Sequence, residues 1–179
     1  FCCCRDLISL PNISKWNTEN GNNLNLLFYS CEKLQILPDI SGWETKNVVD
    51  MFHMFDGSSK ITSLDLSHFD TSSTIDMGGM FHNCKNLKFL DISSFNTKNV
   101  KDMFSMFESC ESLTSIDVSR FNISNVVDLS GMFKSCIITS LYLNSFEASS
   151  ATDISQMFAE CSLLESLDLS NFKPSEAVD

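Results

Sequence analysis

Eight cysteines, three histidines and a row of aspartates are the residues of this chain whose types could do chemistry. Six of the cysteines, Cys4, Cys31, Cys84, Cys110, Cys136 and Cys161, recur at nearly even intervals, and Ser58 stands where one is missing. Counting Ser58, the steps are 27, 27, 26, 26, 26 and 25 residues. A structural zinc site needs one C-x-x-C pair facing a second, and no such partnering occurs. Exchange of Cys for Ser in one column instead suits a small residue closing against a core, where free thiols are commonly buried. Cys2 and Cys3 fall where other copies carry Tyr29 and Ser30, so they are expected to be more exposed and open to pairing, oxidation or lipidation. His53, His68 and His82 align with Gly79, Ser94 and Glu108, which places them at variable, solvated positions away from the thiols. With no G-x-S-x-G elbow and no Gly-rich phosphate loop, the residues point to no enzyme, no cofactor and no metal site.

The even spacing belongs to the whole chain, since a period of 20 to 50 residues marks a repeat architecture. Residues 1–179 read as one array of about six and a half 26-residue copies, expected to be a segment of a longer chain. The long steps carry an extra proline at Pro11 and Pro38. Within a copy, apolar residues alternate in Leu64-Asp65-Leu66-Ser67, Leu90-Asp91-Ile92-Ser93, Ile116-Asp117-Val118-Ser119 and Leu167-Asp168-Leu169-Ser170, the mark of a half-buried strand. Asn47 to Asp50, Asn99 to Asp102 and Asn125 to Asp128 have the form of a helix capping box. Val48, Met51, Met54 and Phe55 then follow at helical spacing, as do Val100, Met103, Met106 and Phe107. The expected fold is α/β, a solenoid with one parallel β-sheet and a short helix per repeat. Trp16, Trp43, Phe69, Phe95, Phe121, Phe146 and Phe172 follow each strand and are expected to form a stacked interior ladder.

Alternation also defines what faces outward. Ser63, Asp65 and Ser67 lie beside Phe89, Asp91 and Ser93, then Ser115, Asp117 and Ser119, with Tyr142 and Asp168 in later copies. These eleven residues are the candidate binding face. Parallel strands are about 4.8 Å apart, a spacing at which Asp65, Asp91 and Asp117 would repel one another, so Asp91→Asn is expected to stabilise the chain modestly. Solvent, salt and the neighbouring serine hydroxyls are the ordinary compensation, and a cation or a basic partner surface the sharper one. Asn12-Ile13-Ser14 and Asn122-Ile123-Ser124 are glycosylation sequons, making Asn12 and Asn122 candidate modification sites.

Composition narrows the partners. With 23 acidic residues against 12 Lys and Arg, the formal charge is −11, which repels phosphate backbones and anionic headgroups. Nucleic acid is not an expected partner, and no apolar run reaches the length of a transmembrane segment in this region. A hydrophobic content of 43% with 15 Phe supports a folded core.

The pattern running from Asn99 to Phe121, N-V-x-D-M-x-x-M-F-x-x-C-x-x-L-x-x-L-D-L-S-x-F with Ile116 and Val118 for two of the leucines, resembles the 26-residue repeat of BspA-like leucine-rich-repeat surface proteins. A threonine that ends the pattern is present as Thr71 and Thr97 and replaced by Ile123. The resemblance covers essentially the whole chain. It implies an extracellular or cell-surface location and adhesion or protein–protein recognition of a protein or glycan ligand, and it brings no catalytic residues. The alternative is a structural element that joins further copies of itself end to end into a fibre or coat.

Overall fold

The computed structural model describes residues 1–174; the last five residues of the expected array lie outside the described residues. Four strands are formed, β1 (Ser63–Asp65), β2 (Phe89–Asp91), β3 (Ser140–Tyr142) and β4 (Ser166–Asp168). They make two separate two-stranded parallel sheets, β1 with β2 and β3 with β4. Register follows the repeat, Leu64 opposite Leu90 and Asp65 opposite Asp91 in one, Leu141 opposite Leu167 and Tyr142 opposite Asp168 in the other. The segment Ile116 to Val118, expected to be a strand, is not one, so no single sheet runs through the array.

No helix occurs among the described residues, and this overturns the α/β reading with a helix in every repeat. The stretches expected to be helical are chains of tight turns locked sideways to the next copy. In the segment 51–58, Met51, His53, Phe55 and Gly57 donate their N–H groups to the carbonyls of Asp76, Gly78, Met80 and His82 at 2.9 to 3.0 Å. The alternate residues Met54, Asp56 and Ser58 donate back three positions, to Met51, His53 and Phe55. Isolated parallel bridges continue the pairing from Asn23 through Asp50, Asp76, Asp102 and Asp128 to Asp153. Each 26-residue copy is therefore a rung laid parallel on the next.

Two columns of left-handed residues make this path possible. His53 and Gly57 have φ of 48° and 71°, and the same two positions recur as Gly79 and Asn83, Ser105 and Ser109, Gly131 and Ser135. A left-handed residue every fourth position is incompatible with an α-helix. The capping boxes fail for a related reason. Asn99 and Asn125 donate to Ser72 and Lys98 of the preceding rung at 2.8 Å. Asp50, Asp76, Asp102, Asp128 and Asp153 instead accept the N–H two residues ahead, as in Phe104 to Asp102 Oδ1 at 3.0 Å. Such Asx turns compete directly with helix formation.

The stripe expected to be buried is buried: Val48, Met51, Met54, Phe55, Val100, Met103, Met106 and Phe107 all lie in the core. Phe1, Phe28, Phe55, Phe81, Phe107, Phe133 and Phe158 form a continuous offset stack with centroids 5.4 to 6.0 Å apart and planes within 15°. The column expected to stack behaves differently. Trp43, Phe69, Phe95, Phe121 and Phe146 are buried, but ring stacking along it is confined, among the described residues, to Trp16 and Trp43 at 6.1 Å. The cysteine column has a specific reason for accepting serine. Cys31, Cys84, Cys110, Cys136 and Cys161 donate their thiols to the carbonyls of Phe1, Phe55, Phe81, Phe107 and Phe133, and Ser58 Oγ donates to Phe28 in the same way at 2.7 Å. Burial pushes the Cys31 thiol up to about 11 and that of Cys136 to about 12, which disfavours the thiolate form. Cys4, at the head of that column, is exposed, as are Cys2 and Cys3.

Candidate functional site

The strand face is built by short strands whose ends are set by their own aspartates. Asp65 Oδ1 accepts the Ser67 N–H at 3.0 Å and the Ser67 hydroxyl at 2.7 Å. Asp91, Asp117 and Asp168 accept from Ser93, Ser119 and Ser170. At Asp65, Asp91 and Asp168, the last residues of β1, β2 and β4, the carboxylate takes the N–H two residues on, which ends the strand and turns the chain. Serine hydrogen bonds also hold the Asp65 and Asp117 carboxyls below the usual carboxylate range, and the Ser170 N–H does so for Asp168.

All eleven residues of the candidate binding face reach the surface. Ser63, Asp65, Ser67, Phe89, Ser93, Ser115, Asp117, Ser119 and Tyr142 are exposed, and Asp91 and Asp168 half-buried. Phe89 and Tyr142 are the two apolar anchors on it, 59% and 63% exposed. Beside β1, a cleft of about 240 Å³ is lined by Pro38, Asp39, Ser63, Asp65 and His68 among others. One of its walls is the segment carrying the extra Pro38, so the irregular step in the repeat has a place in the surface. Asn12 and Asn122 are exposed, and each accepts hydrogen bonds from the N–H and hydroxyl of the serine two residues on, Ser14 and Ser124. Both sequons are thus accessible Asx turns.

The histidines depart from the expectation of solvated positions. His53 and His82 are partly buried and converge on Asp56, whose side chain is 9% exposed. His53 Nδ1 lies 2.8 Å from Asp56 Oδ2, and His82 Nδ1 lies 3.2 Å from Oδ1. Burial opposes charge on His82, but its contact with the Asp56 carboxylate outweighs this and raises the imidazole above its ordinary value. The signal was available in the repeat: Asp56 and His82 occupy one column 26 residues apart, so they are neighbours on adjacent rungs.

A second acidic column, Asp50, Asp76, Asp102, Asp128 and Asp153, follows the bridge ladder and is half-buried throughout. Burial raises the Asp76 and Asp102 carboxyls, with neighbouring aspartates adding to the effect: Asp50 for Asp76, and both Asp76 and Asp128 for Asp102. Like charge is therefore strained here rather than at Asp65 and Asp117 on the strand face. Asn23 begins this column and donates its amide to Asp50 Oδ2 at 3.1 Å, which shows how an amide relieves a neighbouring carboxylate. Asp102→Asn keeps the acceptor for Phe104 and removes one charge, so it is expected to stabilise the protein by about 1 kcal/mol at neutral pH and low salt. A raised folded-state carboxyl contributes stability that is full below the unfolded value and lost as pH rises through the folded one. The variant's advantage should accordingly be absent below about pH 4 and grow toward neutrality. Urea unfolding at several pH values measures it, and a destabilised variant at pH 7 would show that the carboxylate makes native contacts an amide cannot.

Residues 8–88 and 59–172 each match the family model described as "Mycoplasma protein of unknown function, DUF285". Comparison with curated proteins and with solved structures finds no match. The two matched segments together span most of the array and overlap over whole repeat elements, as tandem copies should, and the chain belongs to the DUF285 family.

Proposed function

We propose that this protein is an extracellular or cell-surface recognition module that engages a protein or glycan through its strand face. The supporting observation is the pair of exposed aromatics, Phe89 and Tyr142, set among in-register Asp and Ser side chains. An exposed aromatic surrounded by short polar groups supplies a desolvable anchor with hydrogen-bonding partners around it, the composition that recognition surfaces favour. The net charge of −11 directs the face toward neutral or basic ligands rather than phosphate-bearing ones. Resemblance of the 26-residue pattern to BspA-like surface proteins supports both the location and an adhesive role. The buried thiols of the cysteine column, each donating to a carbonyl, speak against nucleophilic catalysis.

Binding of the purified, fluorescently labelled chain to intact animal cells and to immobilised extracellular glycoproteins tests this reading. The Phe89→Ser/Tyr142→Ser variant alters only exposed side chains and is expected to keep its circular dichroism while binding at least about tenfold more weakly. Equal binding by the variant, or no saturable binding by the unaltered chain to either surface, would refute the proposal.

A further inference from the structure

We propose that His53, Asp56 and His82 bind a divalent transition-metal ion of the zinc class, joining two adjacent rungs. One donor atom from each of the three residues falls within 4.8 Å of the others. Bonds of about 2.0 to 2.1 Å in tetrahedral zinc place neighbouring ligand atoms about 3.3 Å apart. The contact of 3.2 Å from His82 Nδ1 to Asp56 Oδ1 is close to that spacing.

The Asp56 carboxylate bridges both imidazoles, its Oδ1 facing His82 Nδ1 and its Oδ2 facing His53 Nδ1. Despite the short distance, that buried nitrogen has no hydrogen-bond partner among the described residues. A ring nitrogen with its lone pair directed at a shared centre is what a metal ligand requires.

The surroundings are those of a built site. Asn83 Nδ2 lies 3.1 Å from His82 Nε2, and with its amide turned over its oxygen would accept the Nε2–H and leave Nδ1 free to ligate. Gly79 makes room for the second ring: a Cβ there would collide with His53 Cε1 and Nδ1. Phe52 and Phe104 pack edge-on against His53 at 4.1 and 5.6 Å, lowering the local dielectric. His82, at 26% side-chain exposure, is the route of entry and leaves outer positions for water. Two imidazoles and one carboxylate suit zinc, cobalt, nickel or copper, whereas magnesium and calcium prefer all-oxygen shells. The equivalent positions in other rungs are Leu26 and Tyr29, Ser105 and Glu108, Gly131 and Lys134, so the donor set arises once among the described residues.

Calorimetric titration of zinc chloride into the chelator-stripped full chain tests this, alongside cobalt(II) as a spectroscopic probe. Expected results are saturable binding of one zinc ion per chain, cobalt d–d absorption without thiolate charge transfer, and no response to magnesium. Loss of outer-shell partners alone weakens metal sites about 10- to 100-fold, so the His53→Gln/His82→Gln variant should bind at least about 100-fold more weakly. Circular dichroism separates loss of binding from loss of fold, and should the double variant unfold, Asp56→Asn is the substitute and should also weaken binding. Cys2→Ser/Cys3→Ser/Cys4→Ser removes the exposed thiols, the competing soft ligands, and should bind as the unaltered chain does. The proposal is overturned if zinc does not saturate, if binding survives loss of the imidazoles or of Asp56, or if removing the three thiols abolishes it.

Discussion

Phe81→Ala is expected to lower unfolding free energy by about 4 kcal/mol, the middle of the range for removing a buried ring. Phe81 is fully buried and stacks on both sides, on Phe55 at 5.9 Å and on Phe107 at 5.7 Å with planes within 5°. Truncation opens a cavity that neither neighbour can fill, because each is held by its own next ring, Phe28 on one side and Phe133 on the other. Offset aromatic pairs contribute about 0.5 to 1.5 kcal/mol beyond area burial, and two are lost at once. Phe158 is the comparison. It is only partly buried and, among the described residues, stacks on Phe133 alone, so Phe158→Ala should cost about half as much. Urea unfolding followed by circular dichroism gives both values, and equal losses would mean that the stack is not what stabilises the rungs.

The same stack shows how far the sequence could be read. Periodic burial was legible, because Met51, Met54 and Phe55 keep their apolar identity from copy to copy whatever the backbone does between them. The backbone was not. Apolar residues three and four apart fit a helix, but they fit equally a run of three-residue turns whose N–H groups alternate between the own rung and the next. What distinguishes the two is the pair of left-handed columns, and Gly57, Gly79, Asn83 and Gly131 mark them with residues suited to positive φ. Leu26, His53 and Gln156 occupy the same columns and hide the pattern. The outward strand face was legible because alternation alone decides it, and its residues do reach the surface. The convergence of His53, Asp56 and His82 was not found, because comparing each histidine with its own column shows variability while ignoring that adjacent rungs touch. In a parallel stack, residues 26 apart are as close as residues adjacent across any strand pair, and chemistry must be sought along the column as well as within the copy.

Thr97→Val should cost about 2 kcal/mol although it removes no carbon atom, since it leaves a partly buried donor and acceptor without their partner. The Thr97 hydroxyl donates to the carbonyl of Asn122 at 2.8 Å and accepts the Asn122 N–H at 2.8 Å. One side chain thereby satisfies both backbone groups of a residue on the next rung, where the chain turns away and no strand pairing is made. Thr71 does the same for Asn96, and Thr45 for Asp70. Thr97 is buried, so valine would fit the volume and test the hydroxyl alone. Thr97→Ser keeps the hydroxyl and loses one methyl, for which about 1 kcal/mol is expected. Where Ile123 stands in this column the clamp is absent, and the Glu147 N–H bonds to Ser145 within its own turn instead. The chain thus contains both solutions, and the isoleucine rung shows that an apolar residue is tolerated when the next turn closes on itself. At Asn122 no such local bond exists, because its own side chain is engaged with Ser124 and its N–H with Thr97. Faster amide exchange at Asn122 and a lower urea midpoint in Thr97→Val than in Thr97→Ser are therefore the expected pair of results, and a valine variant as stable as the serine one would show that water or a shifted turn takes over the clamp.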